Sequence, residues 1–165
     1  MASRQRDMIT QHDQESNGDH GLVDPLALER QVCFALVVAA RSVLSVYRPL
    51  LEPMGLTHPQ YLVMLALWGD SPLSVGAIGS MLQLDSPTLS PLLKRLESAG
   101  LITRTRSAED ERQVNIELTT SGRDLREEAL KIPPAVVARL GMSIPELELL
   151  RASLTKLIAA ARQTE

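Results

Sequence analysis

Two short stretches of strand character, Leu101 to Thr105 and Gln113 to Leu118, sit inside a chain patterned almost everywhere else as helix. The loop between them, Arg106 to Arg112, is charged and has no hairpin glycine pair, so it forms a longer tip. Before the strands, apolar residues recur at three- and four-residue steps from Leu26 to about Leu51, and Asp24-Pro25 reads as the start of that helix. Thr57-His58-Pro59 opens a second helix whose stripe is Tyr61, Leu62, Leu65 and Trp68. Ser74 caps a short third helix through Leu82. Leu84-Asp85-Ser86-Pro87 is a tight connection into a fourth, which ends at Ala99-Gly100. After the strands, Thr119-Thr120-Ser121 caps a long helix through about Lys131, with Pro133 and Pro134 punctuating it. Ser143 caps a last amphipathic helix.

The fold class is therefore mainly α: a winged helix-turn-helix flanked by helices at both ends. The divisions are a disordered tail over 1–23, a first helix over 24–56, a winged helix-turn-helix region over 57–119 and C-terminal helices over 120–165. The two terminal helices carry more apolar surface than one small winged helix needs.

Composition narrows the function. With 165 residues, 44% hydrophobic and 22% charged, the chain suits one domain of a soluble protein. Aromatics at 2% argue against base-stacking or sugar-stacking platforms. The longest uninterrupted apolar runs, such as Val32 to Ala40, are too short to span a bilayer, and no signal peptide is visible. The expected compartment is the cytoplasm, with no membrane partner. A net charge of −3 requires a DNA reader to concentrate its basic residues locally.

Such a concentration exists. Asp85, Ser86, Thr88 and Ser90 lie in or just before the first turn of the fourth helix, with Lys94 and Arg95 following. Short hydroxyl side chains let a helix approach base edges, and its N-terminus favours phosphate. Pro91 is tolerated if it falls in the first turn, which points to a cap near Ser86 or Thr88. Arg104, Arg106 and Arg112 cluster on the hairpin and its tip, suited to an adjacent minor groove, and Asp110 can pair with Arg112 to hold the loop.

An enzyme is the competing class. Cys33 with His58 could suggest a nucleophile and base, but no third group, glycine-rich loop or metal-ligand spacing completes a site, and His12 and His20 lie in the tail. The expectation is a non-enzyme with no cofactor and no metal.

The stretch Asp110-Glu111-Arg112-Gln113-Val114-Asn115-Ile116-Glu117-Leu118-Thr119 resembles the D-x-R-x₅-L-T wing signature of the MarR family of bacterial regulators. Leu92 to Ile102 is similar to that family's recognition helix running into the wing. The resemblance covers roughly residues 25–162. It implies a homodimeric repressor on double-stranded DNA, at a pseudo-palindromic operator, with 24–56 and 120–165 as the N- and C-terminal dimerisation helices and 57–119 as the DNA-binding region.

Gln31-Val32-Cys33-Phe34, Tyr47-Arg48-Pro49-Leu50-Leu51, Pro59-Gln60-Tyr61-Leu62 and Leu84 to Arg95 resemble the organic-hydroperoxide-sensing branch. By itself a lone cysteine on an apolar helix face packs as a small hydrophobe. The resemblance implies instead that Cys33 is oxidised by organic hydroperoxides, with its thiolate held by tyrosine hydroxyls of the partner subunit, Tyr47 among them. A second tyrosine of that branch is replaced by His58, whose imidazole can still hydrogen-bond a thiolate. Tyr61 matches the branch, and its helical phase fits core packing as well. With no second cysteine, oxidised Cys33 must react with a low-molecular-weight thiol or backbone nitrogen, or over-oxidise. The alternative is a repressor released by a small phenolic or aromatic ligand, with Cys33 structural.

Overall fold

The structure is a computed structural model and describes residues 26–106 and 113–163. Asp24-Pro25, the tail before it, and Asp110 and Arg112 on the loop tip lie outside the described residues.

The first helix starts later than its apolar period suggests. A 3-10 turn, Leu28–Arg30, is followed by an extended Gln31, and only then does α1 run, Val32–Leu51. The carbonyl of Gln31 accepts the first helical bond, from Ala35 at 3.1 Å. Cys33 therefore stands in the first turn of α1. The C-terminal part of α1 is anchored: Val46, Tyr47, Leu50 and Leu51 pack into the core. The N-terminal part is bare, with Val32, Phe34, Val37 and Val38 all exposed. Although no single apolar run is long enough, Val32–Met54 as a whole is long and apolar enough to cross a bilayer. Arg41 stands near its midpoint, however, where a bilayer would charge about 3 kcal/mol for it.

Helix α2, His58–Gly69, begins with a capping box: Thr57 donates its backbone N–H to Gln60 Oε1 at 2.9 Å, which satisfies the buried Gln60 amide. The expected stripe is only part of its buried surface. Leu65 is exposed, while Val63, Met64 and Leu67 are fully buried, because α2 runs through the centre of the fold and is covered on most sides.

Two residues, Leu73–Ser74, form a strand β1 that no sequence period marks. Helix α3, Val75–Leu82, is capped by Ser74, whose Oγ accepts from Ala77 N–H at 3.0 Å. Gln83 turns the chain with a left-handed φ of 57°, and Leu84 N–H closes back on the Gly79 carbonyl at 2.9 Å. A Cβ on Gly79 would lie 2.9 Å from the Leu84 carbonyl oxygen, so this turn requires glycine there. Helix α4, Ser86–Ser98, ends at Gly100 (φ 71°) and leads into β2, Ile102–Arg106. The return strand β3, Val114–Leu118, lies between the other two, in the order β1-β3-β2, all antiparallel. Ile102 pairs with Leu118, and Arg106 with Val114.

The long helix expected after the wing is broken. Helices α5, Thr120–Asp124, and α6, Arg126–Ala129, are short, and a separate α7, Ile132–Leu140, follows. Pro133 and Pro134 do not stop a helix here; they occupy the first turn of α7, where the missing N–H costs nothing. Ile132 and Val136 are buried in the core, and Arg139 donates to the Val46 carbonyl of α1 at 3.3 Å. Helix α8, Ile144–Arg162, opens on the Ser143/Glu146 capping box and has no buried residue.

The core is continuous across the winged helix: Leu51, Met64, Leu67, Ile78, Leu89, Leu93, Leu96, Ile102 and Ile116 are all essentially inaccessible. Among the described glycines Gly122 makes the tightest backbone approach, since a Cβ there would overlap the Leu101 carbonyl. Gly122→Ala is expected to destabilise the fold by about 3 kcal/mol, as overpacking against backbone does. That lowers Tm by roughly 6–12 °C, read by thermal denaturation. An unchanged Tm would show that α5 can withdraw from this junction freely.

Candidate nucleic-acid interface and thiol site

The roll of α4 is fixed by its buried face, Leu89, Leu93 and Leu96, in the core. The opposite positions are open: Ser86, Thr88, Ser90, Lys94 and Arg95 are all exposed. Ser86, Ser90 and Lys94 follow one another at four-residue steps and so share one face. The cap is one residue earlier than expected. Asp85 accepts from Thr88 N–H at 3.0 Å, and hydrogen bonds from the Thr88 side chain and backbone hold its carboxyl below the usual carboxylate range. Asp85 thus serves the helix terminus directly, since an ionised carboxylate satisfies the end of the helix dipole. Moving the cap back also moves Pro91 out of the first turn into the second.

On the wing, Arg104 is half-buried against α4. Its Nε lies 3.1 Å from Glu97 Oε2, an ion pair off the hydrogen-bonding angle, and its Nη2 is 3.4 Å from the Ser90 carbonyl. The guanidinium therefore faces the recognition helix and ties β2 to it. Arg106, at the end of β2, is exposed. At the wing base, Thr119 Oγ1 donates to the Gly100 carbonyl at 2.7 Å and accepts from Gly122 N–H at 3.0 Å.

The residues singled out around the thiol divide into two places. Tyr47, His58 and Tyr61 meet at the corner of α1 and α2. The Tyr47 and His58 rings stand edge to face at 4.8 Å, and Tyr47 is 6.1 Å from Tyr61. Burial lowers the pKa of His58 from its usual 6.5, which keeps the imidazole neutral at neutral pH. Burial, with Tyr47 adding to it, raises the pKa of Tyr61, so its hydroxyl stays protonated. Cys33 is exposed and lies fourteen residues up α1 from Tyr47, about 21 Å at the helical rise. Within one chain the thiol and the cluster do not meet.

Two contacts in and beside this site escape sequence reasoning. Glu97, the partner of Arg104, stands on the exposed side of α4 with nothing to mark it. Trp68 donates its indole N–H to the Gly122 carbonyl at 2.8 Å, across 54 residues. The signal for the second was the tryptophan itself, whose N–H needs a partner when its ring packs in a core.

The transcriptional regulator SarA/Rot family matches residues 45–129. The organic hydroperoxide resistance transcriptional regulator of Bacillus subtilis is 44% identical over 140 residues, covering 85% of this chain and 95% of its own length. The chain belongs to the MarR family of transcriptional regulators. MarR-family architecture extends over most of the chain. AbfR of Staphylococcus epidermidis, in its reduced form bound to DNA, is 33% identical with a TM-score of 0.72, over 82% of this chain and 93% of that one. MepR of S. aureus, also in complex with DNA, is 30% identical with a TM-score of 0.70, over 79% and 98%. As a member of the family the chain is a DNA-binding transcriptional regulator and not an enzyme.

Proposed function

We propose that the protein is a homodimeric, cytoplasmic repressor that senses organic hydroperoxides through Cys33 and then releases a pseudo-palindromic operator. The observation that carries this reading is the separation of Cys33 from the Tyr47, His58 and Tyr61 cluster along a helix whose intervening face is apolar and exposed. A thiol about 21 Å from its hydroxyl donor in one chain can reach it only from a second copy lying along α1. The similarity to the hydroperoxide resistance regulator supports the choice of signal.

The chemistry balances simply. The Cys33 thiolate sulfur attacks the outer oxygen of the hydroperoxide, the O–O bond breaks, and the alkoxide leaves, taking a proton to become the alcohol. Sulfur is oxidised by two electrons to sulfenic acid. A low-molecular-weight thiol then displaces the hydroxyl as water and leaves a mixed disulfide. Tyr47 of the partner donates to the thiolate, neutral His58 supports the Tyr47 ring, and Tyr61, buried in the core, backs it from behind.

On DNA, Ser86, Thr88 and Ser90 face base edges, and Lys94, Arg95 and Arg106 face phosphates. Asp85 and Arg104 hold the recognition helix and the wing in position. Two recognition helices then stand about one turn of DNA apart, roughly 34 Å. Arg112→Ala is expected to weaken operator binding at least tenfold and to flatten its salt dependence by about two units of slope, one from each subunit. Unchanged affinity at two salt concentrations would remove Arg112 from the interface. The reading as a whole is tested by treating the operator complex with an organic hydroperoxide, wild type beside Cys33→Ser. Release that survives the substitution transfers the signal to a small phenolic or aromatic ligand.

A further inference from the structure

Three of the chain's four aromatic residues, with His58, form one row. From His58 the rings run to Tyr47 at 4.8 Å, to Tyr61 at 6.1 Å and to Trp68 at 6.3 Å, from the α1–α2 corner to the far end of α2. The row does not end in solvent. Trp68 Nε1 donates to the Gly122 carbonyl at 2.8 Å. Gly122 in turn is set so closely on Leu101 that a Cβ would overlap the Leu101 carbonyl. Leu101 joins the end of the recognition helix to the first strand of the wing, and Thr119 binds the same junction through Gly100 and Leu101. The first turn of α5 is thus a wedge between the end of α2 and the α4–β2 junction.

Aromatic rings are rigid, and close-packed rings pass a displacement on instead of absorbing it. We propose that Trp68 is a positioning residue for DNA binding: through Gly122 it sets the stance of the α4–β2 junction, and it is the joint by which movement at Tyr47 reaches that junction. The link to peroxide rests on the reading of Tyr47 given above; the positioning role does not.

The test is a double-mutant cycle on operator affinity of the reduced, full-length protein, with Tyr47→Leu, Trp68→Phe and both together. Phenylalanine keeps one aromatic ring at the position and removes the N–H together with the five-membered half of the indole. Each single change is expected to weaken operator binding about tenfold, and the pair no more than about tenfold, because both act through one joint. A hundredfold loss in the pair, meaning additive effects, overturns the proposal, as does wild-type affinity in Trp68→Phe. Thermal melts of the same proteins separate a merely structural role, which lowers Tm while operator effects stay additive. If Tyr47→Leu does not fold, His58→Ala at the end of the row replaces it. In a second arm, peroxide should change the operator affinity of Trp68→Phe by less than tenfold, against about a hundredfold for wild type. A full hundredfold release by Trp68→Phe contradicts the joint. No release by wild type defeats the peroxide reading alone and leaves the reduced-state cycle to decide the positioning role.

Discussion

Replacing Leu150 and Leu157 of α8 together by glutamate is expected to leave a folded monomer whose operator affinity has fallen more than a hundredfold. Helix α8 contributes no buried residue to its own chain, so its apolar side chains are not needed for the core. Leu150 and Leu157 are nevertheless 46% and 42% exposed, seven residues apart on one face, with Leu149 and Ile158 exposed beside them and Phe34, Val37 and Val38 exposed on α1. Apolar surface on this scale marks an interface. In a two-fold dimer each substitution acts twice, so four leucines leave the seam. At about 2 kcal/mol per buried leucine the dimer loses roughly 8 kcal/mol, before the cost of four unpaired carboxylates. A monomer retains one recognition helix and one wing, hence half the phosphate contacts on which affinity depends. Sedimentation velocity reads the association state, circular dichroism the helix content, and a gel shift the affinity. A dimer of unchanged stability, or a monomer that binds as tightly as wild type, would show that these faces serve something else.

The local signals of this fold are strong where one residue type has one physical use. Thr57 with Gln60, Ser74, and Ser143 with Glu146 each cap the helix their sequence announces, and Gly100 ends α4 in the left-handed region. Signals fail where a residue has two uses. Pro133 and Pro134 read as a stop but open α7, because proline suits a first turn as well as it breaks an interior. Ser86 and Thr88 suit a cap by their hydroxyls, but Asp85 takes the place through a hydrogen bond from Thr88 N–H that composition cannot rank. Strand β1 is too short for any period; it exists because β3 offers it an edge. At the candidate site, the exposed hydroxyl face of α4 was legible. The inward turn of Arg104 to Glu97 was not, since an arginine on a wing looks the same whichever way it points. Family resemblance singled out Tyr47, His58 and Tyr61, but their meeting at one corner and the distance of Cys33 from it needed the helices to be built.

The peroxide switch has the second large expected effect. Sulfenic acid or a mixed disulfide at Cys33 is bulkier than the thiolate and no longer accepts hydrogen bonds as an anion. In a close-packed seam that bulk cannot be absorbed locally, so the helices carrying it move as units and take the winged domains with them. A change in recognition-helix spacing that biases the two states by about 2.7 kcal/mol lowers operator affinity about a hundredfold. Tyr47→Phe keeps the ring against His58 and Tyr61 and removes the hydroxyl proposed to donate to the thiolate, so it should slow the response while still allowing release. A wild-type rate in Tyr47→Phe would take that hydroxyl out of the sensor. The most direct measurement is operator affinity before and after treatment with an organic hydroperoxide, for wild type and Cys33→Ser side by side. Wild type should lose about a hundredfold and Cys33→Ser less than threefold; equal loss in both, or none in wild type, contradicts the thiol switch.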